Sequence, residues 1–304
     1  MTVHPPAPYR LVGISPKAYE HPADRAATAA LQSIPMLDAV VRRLIEFQYE
    51  RAFRQSLLAS SVKLGPDQLP DVWNEYEQAL VILDMPEVYD LYVTQQPFAN
   101  AAAIGAGKPI ILANSALVGL LEPLEVRTVL AHEVGHILSN HVLYRTALAI
   151  LLNLGASVRL PLLAGLPLLA IRTALLEWFR AAELSCDRAA TLVNRDPLVT
   201  CRTLMTLAAG AQSRRLNLDA FLRQAAAYEE WESDWDRMTR FFTELSLTHA
   251  YPVRRVAEIM RWVRSGDFEH ILDGEYPRRD DDVDPRIEAS DAYEHYSELS
   301  LIHI

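Results

Sequence analysis

The sequence predicts an α+β protein, mainly helical, with one small sheet. Three observations predict it. Stretches before residue 84 and after residue 122 carry apolar residues at helical spacing. Between them, "VYDLYVTQ" alternates and is rich in β-formers. Next, "FANAAAIGAGKPIILAN" reads as two short strands joined by the turn "GAGKP".

The chain opens with "MTVHPPAPYRLVGISPKAYEHP", proline-rich and polar. It lacks the basic start and apolar run of a signal peptide, so export by that route is not expected. Residues 24–63 read helical, with Leu37, Val40, Val41, Leu44, Ile45 and Phe47 at helical spacing. Pro35 separates a short helix from this longer one. "GPDQLP" ends it, and "DVWNEYEQALVILD" forms a further amphipathic helix. The texture changes to strands at Pro86. The alanine run of Asn100 to Ile104 is ambiguous by propensity, but its Asn start and Gly-rich end favour an edge strand.

Helix resumes at "EPLEVRTVLAHEVGHILSNHVLYRTALAILL", with Pro123 in the first turn. Residues 146–171 belong to the most apolar stretch, which Arg159, Pro161 and Pro167 interrupt. Each uncharged run falls short of the roughly 20 residues that a bilayer needs. A buried helical hairpin is expected; its rival is a shallow hairpin in peripheral contact with a membrane. "LEWFRAAELSCDRAATLV" is a helix, and further helices run to "THAYPVRRVAEIMRWVRSG". From Asp280 the chain is acidic and poor in core residues, which predicts a mobile tail. The expected organisation is an N-terminal extended segment and helices over 1–83, a central domain over 84–275 and a tail over 276–304.

Bulk numbers narrow the function classes. The 304-residue chain carries a formal net charge of -10 and has a pI near 5.4. That balance argues against a nucleic-acid binder, which would show a basic face. Two cysteines, Cys186 and Cys201, make no disulfide framework and suit a reducing, cytoplasmic setting.

The chemistry concentrates in "VLAHEVGHILSNH". A helix turns about 100° per residue, so His132 and His136 lie about 40° apart on one face, one turn apart. Two imidazoles so placed can grip a single ion. Glu133 points about 100° away from His132, beside the ion where a water would sit. Gly135 leaves room for another segment to approach. His141 falls roughly 180° round the same helix from His132, which keeps it out of the metal shell as a surface or hydrogen-bonded histidine. A catalytic zinc takes three protein ligands and keeps an open position. "AELSCDRAA" offers the best third ligand in Glu183, with Asp187 a turn away to accept the free ring N–H of a ligating histidine. The alternative makes both acids solvated charges flanking Arg180 and Arg188. Cys186 between them reads as a small core residue.

"VLAHEVGHILSNH", "AAELSCDRAA" and "LTHAYPVRRV", in that order, resemble the peptidase family of HtpX and the CAAX prenyl proteases, of the gluzincin type. The chain looks closest to its soluble-looking bacterial members. The resemblance covers roughly residues 84–265, and more loosely the N-terminal helices. It implies a zincin-like domain in which a small antiparallel sheet lies over the active-site helix. It also implies zinc held by His132, His136 and Glu183, with Glu133 as general base. His249 and Arg255 match a late motif, although Ala250 rather than proline follows His249. By resemblance, His249 stabilises an oxyanion and Arg255 holds it in place. The implied reaction is zinc-dependent hydrolysis of a peptide or protein substrate. Asn100, Ala101, Ala102 and Ala103 are candidates for holding it, through main-chain pairing at a free strand edge. The rivals are a zinc-bearing binding module that cleaves little, and a latent protease.

Overall fold

The computed structural model describes residues 9–33, 37, 41–42, 49–105, 108–154, 168–230 and 250–281. His249, residues 155–167 and the acidic end from 282 onward lie outside the described residues.

Four strands make the sheet: β1 (Val62–Lys63), β2 (Asp90–Thr94), β3 (Ala101–Ile104) and β4 (Ile110–Asn114). Their order is β1-β2-β4-β3, so β3 stands at an edge. The sheet is mixed, which corrects the antiparallel expectation. β3 folds back on β4 antiparallel, but β4 then inserts beside β2 and runs parallel to it. β1 is a second difference, because residues 62 and 63 were expected to be helical. The β-branched Val62 ends the helix there and pairs with Val93.

Helix α1 (Pro22–Gln32) follows the N-terminal strap, α2 (Tyr49–Ser60) precedes β1, and α3 (Pro70–Ile82) precedes β2. After β4 come α4 (Ser115–Leu120), α5 (Pro123–Leu138), α6 (Val142–Leu154), α7 (Leu168–Asn194) and α8 (Pro197–Ala209). α9 (Leu218–Glu230), α10 (Pro252–Ser265) and α11 (Asp267–Leu272) complete the described helices. No helix among the described residues is long and apolar enough to cross a membrane. The 146–171 stretch therefore contributes the end of α6 and the start of α7, and its middle lies outside the described residues.

α5 is the spine. Pro123 opens it, and Glu122 and Glu125 cap its first turn reciprocally through their side chains. One side packs under the sheet: Ala101, Ala103 and Ile111 share a core with Val126, Leu130 and Val134. Another packs along α7. A Cβ on Gly135 would lie 3.1 Å from Ala189 Cβ and 3.5 Å from Cys186 Cα, so the glycine is what lets these two helices touch. α7 also carries a second core, where Trp178, Phe179 and Ala182 meet Leu31 of α1 and Tyr144, Leu148 and Ile150 of α6. The strap ahead of α1 is anchored by buried Leu11, Ile14 and Tyr19 and by the bond from Leu11 N–H to Ile82 O at 2.8 Å.

Candidate metal centre

The close approach of α5 and α7 sets the acids of one helix against the histidines of the other. His132 Nε2 lies 3.2 Å from His136 Nε2, and Glu183 Oε1 lies 3.1 Å from His136 Nε2 and 3.5 Å from His132 Nε2. Zinc bonds of about 2.0–2.1 Å in a tetrahedron would separate ligand atoms by roughly 3.3 Å. The three atoms therefore have both the chemistry and the spacing of a His-His-carboxylate set. Cys186 Sγ also comes within 4.8 Å of these rings. Its nearest hydrogen-bonding partner, though, is His141 Nδ1 at 3.7 Å, behind His136 rather than in front of it. Burial, then the surrounding carboxylates, push its thiol well up. Glu183 Oε1, at 3.1 and 3.5 Å from the two ring nitrogens, stands beside Cys186 as a candidate third donor.

Both rings are braced from behind. Asp187 Oδ1 lies 3.1 Å from His132 Nδ1, and Arg255 of α10 holds Asp187 with two bonds, Nε to Oδ2 at 2.7 Å and Nη2 to Oδ1 at 2.5 Å. Arg255 Nη1 also stands 3.4 Å from Glu183 Oε2. Burial alone would lower His132, but Glu183 and Asp187 outweigh it and hold the ring up at about 9. Burial, with Arg145 beside it, pushes His136 down to about 3.

His141 does not face away. α5 ends at Leu138, and Asn140 takes a left-handed conformation at φ 57, which Asn tolerates better than most residues. Asn140 N–H then bonds Ile137 O at 3.1 Å, and His141 N–H bonds His136 O at 2.9 Å. This Schellman turn folds His141 back along the last turn of the helix. Its Nδ1 lies 3.2 Å from His136 Nδ1, and its Nε2 lies 3.2 Å from Asp24 Oδ2. It remains outside the metal-facing set, as a buried hydrogen-bonded residue.

Arg145 carries no local sequence signal of a role at the site. This buried residue of α6 donates from Nη1 to Glu133 Oε2 at 2.5 Å and from Nη2 to Ala101 O at 3.4 Å. Glu133 Oε2 also accepts from Ala103 N–H at 2.7 Å. Burial would raise the Glu133 carboxyl, but Arg145 and the two histidines hold it below the usual range. Beyond β3, Gly105 N–H donates to Thr146 Oγ1 at 3.0 Å. The outer edge of β3 is therefore not wholly bare, contrary to expectation: Glu133 of α5 takes the Ala103 amide, and Thr146 of α6 takes the Gly105 amide just beyond the strand. Replacing Arg145 with Ala strands a buried carboxylate, at a cost of about 3–5 kcal/mol in chemical denaturation. It also removes the charge that depresses Glu133, so any activity that needs Glu133 ionised should show its acid limb at higher pH.

A cavity of about 320 Å³ reaches His132 and Glu183 of the set. His132, Glu133 and Glu183 lie at its inner wall; Leu117, Val129, Leu204 and Leu207 form apolar walls; Asn100 and Ala101 border it from the sheet side. Ala102 and Ala103 continue β3 past this rim.

Residues 71–263 match peptidase family M48. The chain belongs to peptidase family M48. A plastoglobule-localized metallopeptidase 48, chloroplastic, of Arabidopsis thaliana is 37% identical over 261 residues, covering 84% of this chain and 74% of that protein. No solved structure gives a significant match. The M48 match runs from α3 to α10 and so contains the HExxH helix, Glu183, Asp187 and Arg255. It leaves out α1.

Proposed function

We propose that this M48 member is a zinc-dependent endopeptidase in which His132, His136 and Glu183 hold the metal. The observation that carries this reading is the convergence of two ring nitrogens and one carboxylate oxygen at 3.1 to 3.5 Å, beside a cavity that His132, Glu183 and Glu133 border. Zinc in such a set supplies a Lewis acid that polarises the scissile carbonyl and makes water more acidic.

The chain's own residues do the rest. Glu133 is the general base. Its Oε2 is anchored by Ala103 N–H and Arg145, and Oε1 makes no hydrogen bond among the described residues, which leaves that oxygen to take the proton of the attacking water. The same carboxyl returns the proton to the leaving amine. Asp187 fixes the His132 ring with its Nδ1–H toward the carboxylate and Nε2 toward the metal, and Arg255 fixes Asp187. His249, carried by resemblance alone, is the proposed donor to the developing oxyanion. The substrate is a peptide or protein lying past Asn100, Ala101, Ala102 and Ala103; it pairs at Ala101, where it takes over the long contact that Arg145 makes with Ala101 O, while the Ala103 N–H stays on Glu133. The apolar cavity walls receive one of its side chains. We place the enzyme in the cytoplasm, with peripheral membrane contact through 146–171 as the variant of that placement.

One observation favours a second reading, a metal-bearing module that cleaves little or exists in a latent state. Arg145 weakens Glu133 as a base by holding its carboxyl low. Incubating the zinc-loaded protein with a mixed peptide library separates the two. Endopeptidase activity produces internal cleavages that vanish in Glu133→Gln. Intact peptides with both proteins support the second reading.

A further inference from the structure

We propose that Asp24, on the N-terminal helix α1 and ahead of the stretch that matches the family, positions the metal ligand His136 through His141. The inference rests on the zinc reading above. His136 faces the proposed metal with Nε2. A neutral ring that offers a lone pair at Nε2 carries its proton on Nδ1. That Nδ1–H points at His141 Nδ1, 3.2 Å away. His141 must then accept at Nδ1 and carry its own proton on Nε2. That Nε2–H points at Asp24 Oδ2, 3.2 Å away. A carboxylate only accepts, so it admits the chain of bonds in this one sense.

Asp24 is built to end such a chain. It is fully buried, and its other bonds all come from donors: Ser185 Oγ–H to Oδ2 at 2.5 Å and Thr28 Oγ1–H to Oδ1 at 3.2 Å. Thr28 is held in turn by Trp178 Nε1–H at 2.8 Å, and Ser185 by His21 N–H at 2.9 Å. The arrangement parallels the other ligand, where Asp187 acts on His132 directly. On the His136 side one histidine is interposed, and the carboxylate comes from the N-terminal helix. Asp24 is a positioning residue: it touches neither metal nor substrate.

The test uses the full chain and zinc alone. Chelator competition measures zinc affinity for the wild type, Asp24→Asn and Ser185→Ala. Asp24→Asn presents an amide that can donate to His141 Nε2, which turns the chain round and sets a proton against His136 Nδ1. Its zinc affinity should fall about 10–100-fold, while the metal-free protein unfolds at a similar temperature. Ser185→Ala keeps the carboxylate and should leave zinc affinity unchanged. Equal affinity in Asp24→Asn and wild type would overturn the relay and leave the zinc reading intact, as would an equal loss in Ser185→Ala. A wild type that takes up no zinc would overturn both. Should Asp24→Asn not fold, ¹⁵N-histidine spectra of the zinc-loaded wild type decide alone. They should show His141 protonated on Nε2 and bare on Nδ1; the opposite tautomer contradicts the relay.

Discussion

Glu133→Gln keeps its zinc and loses on the order of 10²–10⁴-fold in kcat, the size of a general-base contribution. The amide is nearly isosteric, so the carbonyl oxygen can still accept from Ala103 N–H. What disappears is an oxygen that can take a proton. The ligand atoms belong to His132, His136 and Glu183, so zinc content should stay at the wild-type value. Kinetics on one peptide, with metal analysis of the same sample, check both halves. A fall in KM affinity with kcat unchanged would mean that Glu133 binds substrate rather than moving a proton.

Glu183→Ala has the opposite signature, losing metal first and activity as a consequence. Removing a supporting carboxylate behind a ligand typically costs 10–100-fold in affinity, and removing a ligand itself should cost more. The two ring nitrogens 3.2 Å apart would then hold an ion without their third donor. The variant also leaves Arg255 Nη1 without the Glu183 carboxylate 3.4 Å away, although both Asp187 bonds remain. The fold should therefore persist. Chelator competition against the wild type gives the affinity. Wild-type affinity in Glu183→Ala would move the third donor elsewhere, with Cys186 next in line.

The legible parts of the site were those written in helical period. His132 with His136, and Glu183 with Asp187, are each four residues apart, and any helix brings such pairs to one face. Gly135 was legible as a place of close approach, and α7 is what approaches. Arg255 became legible only through resemblance, and the structure sets it on Asp187. Other features were hidden for physical reasons. The place of His141 is hidden because helical spacing alone continues α5 past Ser139; the Asn140 that reverses the chain is the local signal. Arg145 and Asp24 meet the site across packed helices, and no local pattern marks a buried charge by its distant partner. Strand order is hidden in the same way. The hairpin of β3 and β4 follows from its short turn, but the parallel pairing of β4 with β2 is decided by packing on α5.

The central claim, a zinc that His132, His136 and Glu183 hold for peptide hydrolysis, meets its most direct test in one titration. Natively purified protein is assayed for metal and for cleavage of a mixed peptide library, stripped with a chelator, and assayed again as zinc is returned. The account predicts about one zinc per chain, as three protein ligands and an open position require, with cleavage lost on stripping and restored in step with the returned zinc. Native protein that carries no metal, or cleavage that continues at full rate after the zinc is gone, would contradict it.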